Sequence, residues 1–275
     1  MLASITWNID PVFFSVGPLS VRWYGLMFAI GFMAGYYIVA RMFRHEGAPE
    51  KWLGTLLVYL VACTVIGARL GHVFFYEWDY YSQHPSQILR VWEGGLASHG
   101  ATIGIFIGLC IFSWCVARKS PSWTIDKVVV PVALVGGLVR LGNLMNSEIY
   151  GGPTSLPWGF VFIHDGQTLP AHPTQIYEAL CYFALFGLLM WMYWRRNAEE
   201  RPWLLTGVFF IWTFGTRFLI EFIKNPQESW EADMPLNMGQ ILSLPFILIG
   251  ICMAVCAMMR KREHWTFPDR FPEEK

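Results

Sequence analysis

Arg140 and Asn143 stand three residues apart, and Arg217 and Glu221 stand four apart. On a helix, each pair shares a face and can interact. Asn146, Glu148 and Gly151 follow the first pair closely, Arg69 interrupts an apolar run, Tyr24 opens another, and His99 is followed by Gly100. Several arginines beside few nearby carboxylates favour an anionic ligand, because the guanidinium fork meets phosphate oxygens with paired hydrogen bonds. A neutralised structural ion pair accounts equally well for Arg217 with Glu221. His99 lies at the end of a glycine-bearing run from Trp92, where backbone can approach a ligand, and its imidazole suits an acid, base or orienting group.

The setting of these residues makes them informative. The chain is 55% hydrophobic, 17% aromatic and only 15% charged, against roughly 25% charged in an ordinary soluble domain. That composition predicts an all-α, polytopic integral membrane protein. A hydrocarbon core about 30 Å thick needs about 20 apolar residues per spanning helix. Seven stretches qualify, near 20–41, 53–76, 97–117, 125–145, 174–194, 203–223 and 238–259. An ionisable group inside lipid is costly and marks a site by default. Placed on seven spans, Tyr24, Arg69, His99, Arg140 with Asn143, and Arg217 with Glu221 are expected to converge at one depth near one face, which predicts an outward-opening site.

Lysines and arginines in the short loops set the orientation. Arg41, Arg44, Lys51, Arg118, Lys119, Arg195, Arg196, Arg260 and Lys261 fall on one side, with Arg22, Arg90 and Lys224 opposite. The amino terminus is therefore expected outside and the carboxyl terminus in the cytoplasm, with Gln83 and Ser229 facing outward and Ser120 and Asn197 inward. One transmembrane catalytic domain, 1–275, is expected, with a small outward-facing segment at about 146–173. Pro170 and Pro173 flank His172 and should fix the start of the fifth span. Gly67 and Gly71 bracket Arg69 at small-xxx-small spacing, which shelters it by close helix packing; Gly31 with Gly35, and Gly100, Gly104 and Gly108, repeat the spacing as plain helix contacts.

Several chemistries are excluded. Zero net charge argues against a nucleic-acid partner, which needs a basic surplus. The six cysteines form no metal-ligand pattern with histidines, and no metallohydrolase, serine-elbow or P-loop motif occurs. His264 and Asp269 match an acyltransferase spacing, but in a polar tail with Pro268 between them, so chance explains them. The start, MLASITWNIDP, lacks the basic region and unbroken apolar run of a cleavable signal, so the first helix is expected to stay.

Taken in order, Arg22-Trp-Tyr-Gly-Leu26, Trp92–Gly100, the Arg140–Gly151 run with its R-x-x-N-x-x-N-x-E-x-x-G pattern, His172-Pro-Thr-Gln-Ile-Tyr-Glu178, Arg217–Pro226 and Met238–Ser243 resemble bacterial prolipoprotein diacylglyceryl transferases along nearly the whole chain. The resemblance implies a seven-helix enzyme of the bacterial inner membrane, with its active site toward the periplasmic face. Its substrates would be phosphatidylglycerol and prolipoprotein signal peptides bearing a lipobox cysteine, and its products a thioether and glycerol-1-phosphate. It implies Arg140 and Arg217 as phosphate and leaving-group clamps, Asn143 and Asn146 on the lipid headgroup, Glu148 and Glu221 orienting the arginines, Arg69 and Gly151 at the substrate site, and His99 or Tyr24 handling the proton. No metal or organic cofactor is implied. Ala101 and Thr213 depart from the family pattern, in which a second glycine and a tyrosine are familiar. The rival reading is a phospholipid or anionic-solute transporter, but its site should open to both sides, whereas here the inner halves of the spans are nearly uniformly apolar.

Overall fold

The computed structural model describes residues 4–224 and 235–264; Ser229, Asp269 and the Pro226 end of the fifth sequence block therefore lie outside the described residues. Among the described residues, eight α-helices run α1 Trp23–His45, α2 Lys51–Phe75, α3 Trp78–Gln83, α4 Ser98–Ile111, α5 Pro121–Met145, α6 Thr174–Arg196, α7 Leu204–Ile220 and α8 Met238–Met259. Seven of them, all but the short α3, are long and apolar enough to cross a membrane, with α4 carried on to Ala117 by a π-helical turn. Their flanks expose residues that water would not tolerate in such numbers, among them Met33, Tyr37, Val58, Leu180 and Leu248, each more than 60% accessible. Hydrocarbon is the solvent that fits those faces.

The helix ends follow local chemistry. Pro121 begins α5 at the position where a missing N–H costs nothing, and Pro173 immediately precedes α6. Asn237 caps α8 by accepting from the Gln240 amide at 2.9 Å, and Gln240 returns the bond to the Asn237 N–H. Asn197 closes α6 in the left-handed region. The start of α7 has a borrowed cap. Asp126 of α5, 5% exposed, accepts from the Trp203 and Thr206 backbone amides at 2.7 and 2.8 Å and from the Thr206 hydroxyl. A carboxylate against helix N–H groups is stabilised by their dipoles, which explains how an acid is accommodated there.

The chain divides into two compact units, one within residues 1–39 and 126–264 and the other within 40–125. In the second unit, α2 and α4 meet through glycines. A Cβ on Gly100 would lie 2.1 Å from the Gly67 carbonyl oxygen and one on Gly104 would lie 2.1 Å from that of Cys63, so only glycine permits this backbone approach. In the first unit, Gly31 and Gly35 face Val135 and Pro131 of α5, and Gly207 of α7 meets Gly250 of α8.

Four short strands were absent from the helical expectation. β1 (Ile5–Trp7) pairs in parallel with β4 (Phe160–Phe162), Ile5 opposite Phe160 and Trp7 opposite Phe162. β2 (Val12–Val16) and β3 (Leu19–Arg22) form an antiparallel hairpin leading directly into α1. The Trp7 indole donates to the Leu144 carbonyl at 3.0 Å and packs on the buried cluster of Leu144, Phe160, Phe162 and Ala171. The segment between α5 and α6 thus has, with β1, its own small apolar core, which fixes the chain that follows α5.

Candidate functional site

After Met145 the chain makes a strained turn. Ser147 has φ 56° and Ile149 has φ 60°, a region disfavoured for any L-residue and more so for a β-branched one. Such conformations cost about 1–3 kcal/mol each and persist only where the surroundings over-determine them. Here they do. The Glu148 amide donates to the Asn143 carbonyl at 3.1 Å, Gln175 donates to the Glu148 carbonyl at 2.7 Å, and the Thr174 hydroxyl donates to the Ile149 carbonyl at 3.0 Å. Beyond the turn, the Gly151 amide donates to the His172 carbonyl and the Gly152 amide to the Ile223 carbonyl, both at 2.8 Å. The end of α5, the start of α6 and the end of α7 are joined at this point.

That junction arrays the polar side chains. Glu148 Oε1 accepts from Asn143 at 2.8 Å and from Asn146 at 3.1 Å. Arg140 presents Nε to Glu178 Oε2 at 2.8 Å, while its Nη1 only grazes Asn143 Oδ1 at 3.5 Å. The Glu178 contact is a close charge pair whose N–H is not aimed along the line of atoms, since Oε2 has no aligned donor among the described residues. Glu178 Oε1 takes Lys224 Nζ at 2.6 Å, and Lys224 lies 4.0 Å from Glu221. The Glu178 and Lys224 side chains are 6% and 9% exposed; that of Arg140 is 24% exposed. Arginine is therefore the open end of a buried cation–anion–cation chain. The Tyr182 phenol of α6 hydrogen-bonds Arg140 and feels the charge of Arg217; its ring packs on Gly136, where a Cβ would come within 3.0 Å.

Tyr24 lies over Gly142, where a Cβ would meet its Cδ2 at 2.9 Å, so it sits beside the Asn143 turn. Arg217 is exposed, and among the described residues it forms no ion pair with Glu221. Glu221 is 7% exposed, lies against Gly239 and accepts at its carbonyl from Asn237. Thr213, where a tyrosine was the family expectation, has a buried hydroxyl without a partner among the described residues. Three further buried acceptor or donor atoms lack partners among the described residues: Asn146 Oδ1, Ser147 Oγ and Gln175 Oε1. Unsatisfied buried polar atoms in one short stretch call for an explanation, such as water or ligand. In the segment between α5 and α6, burial and then the hydrogen bond to Asp165 push the Tyr150 phenol up to about 12, so it stays a neutral donor.

The second unit holds Arg69 and His99. Arg69 is 3% exposed, as the flanking glycines predicted, and its nitrogens go to backbone carbonyls: Nε to Ile88 at 2.9 Å, Nη2 to Gln87 at 2.7 Å, and Nη1 to Gly94 and Gly95 at 2.7 and 3.3 Å. Its guanidinium also covers the Tyr81 ring at 4.9 Å. Arg69 thus ties down the chain leading into α4 and lines a cavity of about 280 Å³ with His72, Glu77 and Tyr80. His99 lies in the first turn of α4, exposed. His264 pairs with Glu200 at 3.0 Å.

The sequence pattern that defines prolipoprotein diacylglyceryl transferases matches residues 11–256. The chain belongs to that family. Proteins named phosphatidylglycerol–prolipoprotein diacylglyceryl transferase are similar along nearly their full length: one from Porphyromonas gingivalis is 48% identical over 93% of this chain and 95% of its own, and one from Chloroherpeton thalassium is 45% identical over 90% and 92%. A Bacteroides fragilis relative of the same name is 39% identical over 91% and 94%. This diacylglyceryl transferase is a multi-pass membrane enzyme by family and by its seven apolar helices. The sequence had given Glu178, Lys224 and Tyr182 no role at the site. Glu178 and Tyr182 carried a usable signal, a carboxylate and a phenol four residues apart inside an apolar span; Lys224 carried none beyond its sign.

Proposed function

We propose that this transferase moves the diacylglyceryl group of phosphatidylglycerol onto the lipobox cysteine thiol of a prolipoprotein, the first step of lipoprotein maturation. The observation that carries the proposal is Arg140, anchored through Nε by Glu178, with a side chain 24% exposed against 6% for Glu178 and 9% for Lys224. The thiol loses its proton, and the thiolate sulfur attacks the glyceryl carbon bonded to the phosphate oxygen. The C–S bond forms as the C–O bond breaks, and the electron pair leaves with glycerol-1-phosphate. Free cysteine has pKa about 8.5, so a base helps; His99 and Tyr24 are the two candidates. Charge growing on the leaving phosphate is what Arg140 and Arg217 stabilise. Asn143 and Asn146 hold the headgroup, and Asn146 Oδ1, without a partner among the described residues, is an acceptor suited to a glycerol hydroxyl. Glu148 fixes both asparagines. No step requires a metal or organic cofactor.

The test is purified protein with labelled phosphatidylglycerol and a lipobox peptide. Label should appear on the peptide, with glycerol phosphate released in equal amount, and a peptide with serine for cysteine should stay inert. Lipid movement across vesicles with no peptide modification would favour transport instead.

The reading places the enzyme in the inner membrane with its site toward the periplasm. Single cysteines introduced at Gln83 should react with an impermeant thiol reagent in intact cells, and those at Ser120 or Asn197 should not. Labelling at Ser120 with none at Gln83 inverts the topology.

A further inference from the structure

Lys224 entered the sequence reading only as a loop charge, yet its side chain is 9% exposed and its ammonium touches Glu178 at 2.6 Å. The contact is built rather than incidental. Gly151 and Lys224 form an antiparallel bridge, and the neighbouring Gly152–Ile223 hydrogen bond of 2.8 Å pins the backbone from which Lys224 reaches. Glu178 is consequently held at both oxygens, Oε1 by Lys224 and Oε2 by Arg140 Nε.

Lysine on one carboxylate oxygen competes with an arginine for that oxygen and fixes the rotation of the group, so that here Oε2 faces Arg140 Nε while Oε1 faces Lys224. Left alone, Glu178 would pair with Arg140 fork to fork, the strongest arginine–carboxylate geometry, and would occupy an Nη nitrogen that an incoming phosphate needs. With Lys224 in place, Nη1 only approaches Asn143 Oδ1, at 3.5 Å, and the neutral Tyr182 phenol is the other polar group beside the guanidinium. We propose that Lys224 is a positioning residue for the donor lipid: by clamping Oε1 of Glu178 it restricts that carboxylate to Arg140 Nε and keeps the Nη face free for the phosphodiester of phosphatidylglycerol. This inference rests on the reading of Arg140 as the phosphate clamp.

The test is steady-state kinetics of the full-length protein in detergent, with phosphatidylglycerol varied at saturating lipobox peptide, beside thermal unfolding. Lys224→Met releases Glu178 onto Arg140, so KM for phosphatidylglycerol should rise about tenfold or more, a size typical of coupling between buried charged neighbours, while kcat changes less. Lys224→Arg keeps a cation on Oε1 and should stay within about threefold of the parent KM. The double variant Lys224→Met with Glu178→Gln removes the competing charge and should recover most of the KM lost in Lys224→Met alone. If Lys224→Met does not fold, Lys224→Gln replaces it, with an intermediate rise in KM expected.

A parent-like KM in Lys224→Met overturns the role of Lys224. So does a fall in kcat at unchanged KM that tracks a lowered melting temperature, or a double variant no better than the single. A parent protein that moves no diacylglycerol to the peptide removes the functional reading and this role with it, whereas an active parent beside an indifferent Lys224→Met removes only the latter.

Discussion

Arg140→Lys is expected to lose at least about a hundredfold in turnover, the scale seen when one donor to a developing oxyanion is removed, while its melting temperature stays close to that of the parent. The two effects separate because the residue has two jobs on different atoms. One is to balance Glu178, which it does through Nε at 2.8 Å; a lysine ammonium can still supply that charge. The other is to present Nη donors to phosphate oxygens, and a single ammonium already engaged by a carboxylate has no second fork to offer. Arg140→Ala should be at least as inactive and also less stable, because it leaves the Glu178–Lys224 pair without its third member. The measurement is transfer to a lipobox peptide beside thermal unfolding for both variants. Near-normal turnover in Arg140→Lys, or inactivity fully explained by unfolding, takes Arg140 out of the phosphate-binding set.

The helices were legible because lipid imposes a simple rule: each crossing must satisfy its own backbone and present about 20 apolar residues. The seven stretches read from hydropathy therefore match α1, α2, α4, α5, α6, α7 and α8 to within a few residues. The strands were not legible, because a three-residue element such as Ile5–Trp7 carries no periodicity of its own and exists by pairing with Phe160–Phe162 at the far side of the sequence. Spacing placed Arg140 beside Asn143 but misled at Arg217 and Glu221. Glu221 still donates its N–H to the Arg217 carbonyl, as in an α-helix, yet its buried carboxylate lies against Gly239 of α8 while Arg217 stays exposed. Arg69 shows a different limit. Its burial could be read from the glycines around it, but the carbonyls of residues 87–95 that take its hydrogen bonds could not, since backbone acceptors leave no mark in the sequence. Lys224 was hidden for the same reason, its aim depending on a bridge to Gly151.

Gly151→Ala should lower transfer more than about tenfold and cost about 1–3 kcal/mol of stability, the usual scale for forcing an extra methyl into packed surroundings. The new Cβ would lie 2.6 Å from the Ile223 carbonyl oxygen, 2.7 Å from Thr174 Cγ2 and 2.9 Å from His172 Cβ. The first of these is backbone and cannot rotate away. Opening the junction to admit the methyl weakens the Gly151–His172 and Gly152–Ile223 hydrogen bonds, and with them the bridge that aims Lys224 at Glu178. The defect should therefore appear largely as a raised KM for phosphatidylglycerol, and Gly151→Val should be worse. Gly187 supplies the control: a Cβ there meets nothing within 4 Å, and alanine in a helix interior is favoured over glycine by about 0.5–1 kcal/mol, so Gly187→Ala should leave transfer unchanged and stability equal or slightly higher. Kinetics and thermal unfolding of the three variants decide the matter. If Gly151→Ala keeps the parent KM and kcat, the junction of α5, α6 and α7 does not position the site, and the strained turn at Ser147 and Ile149 needs another explanation.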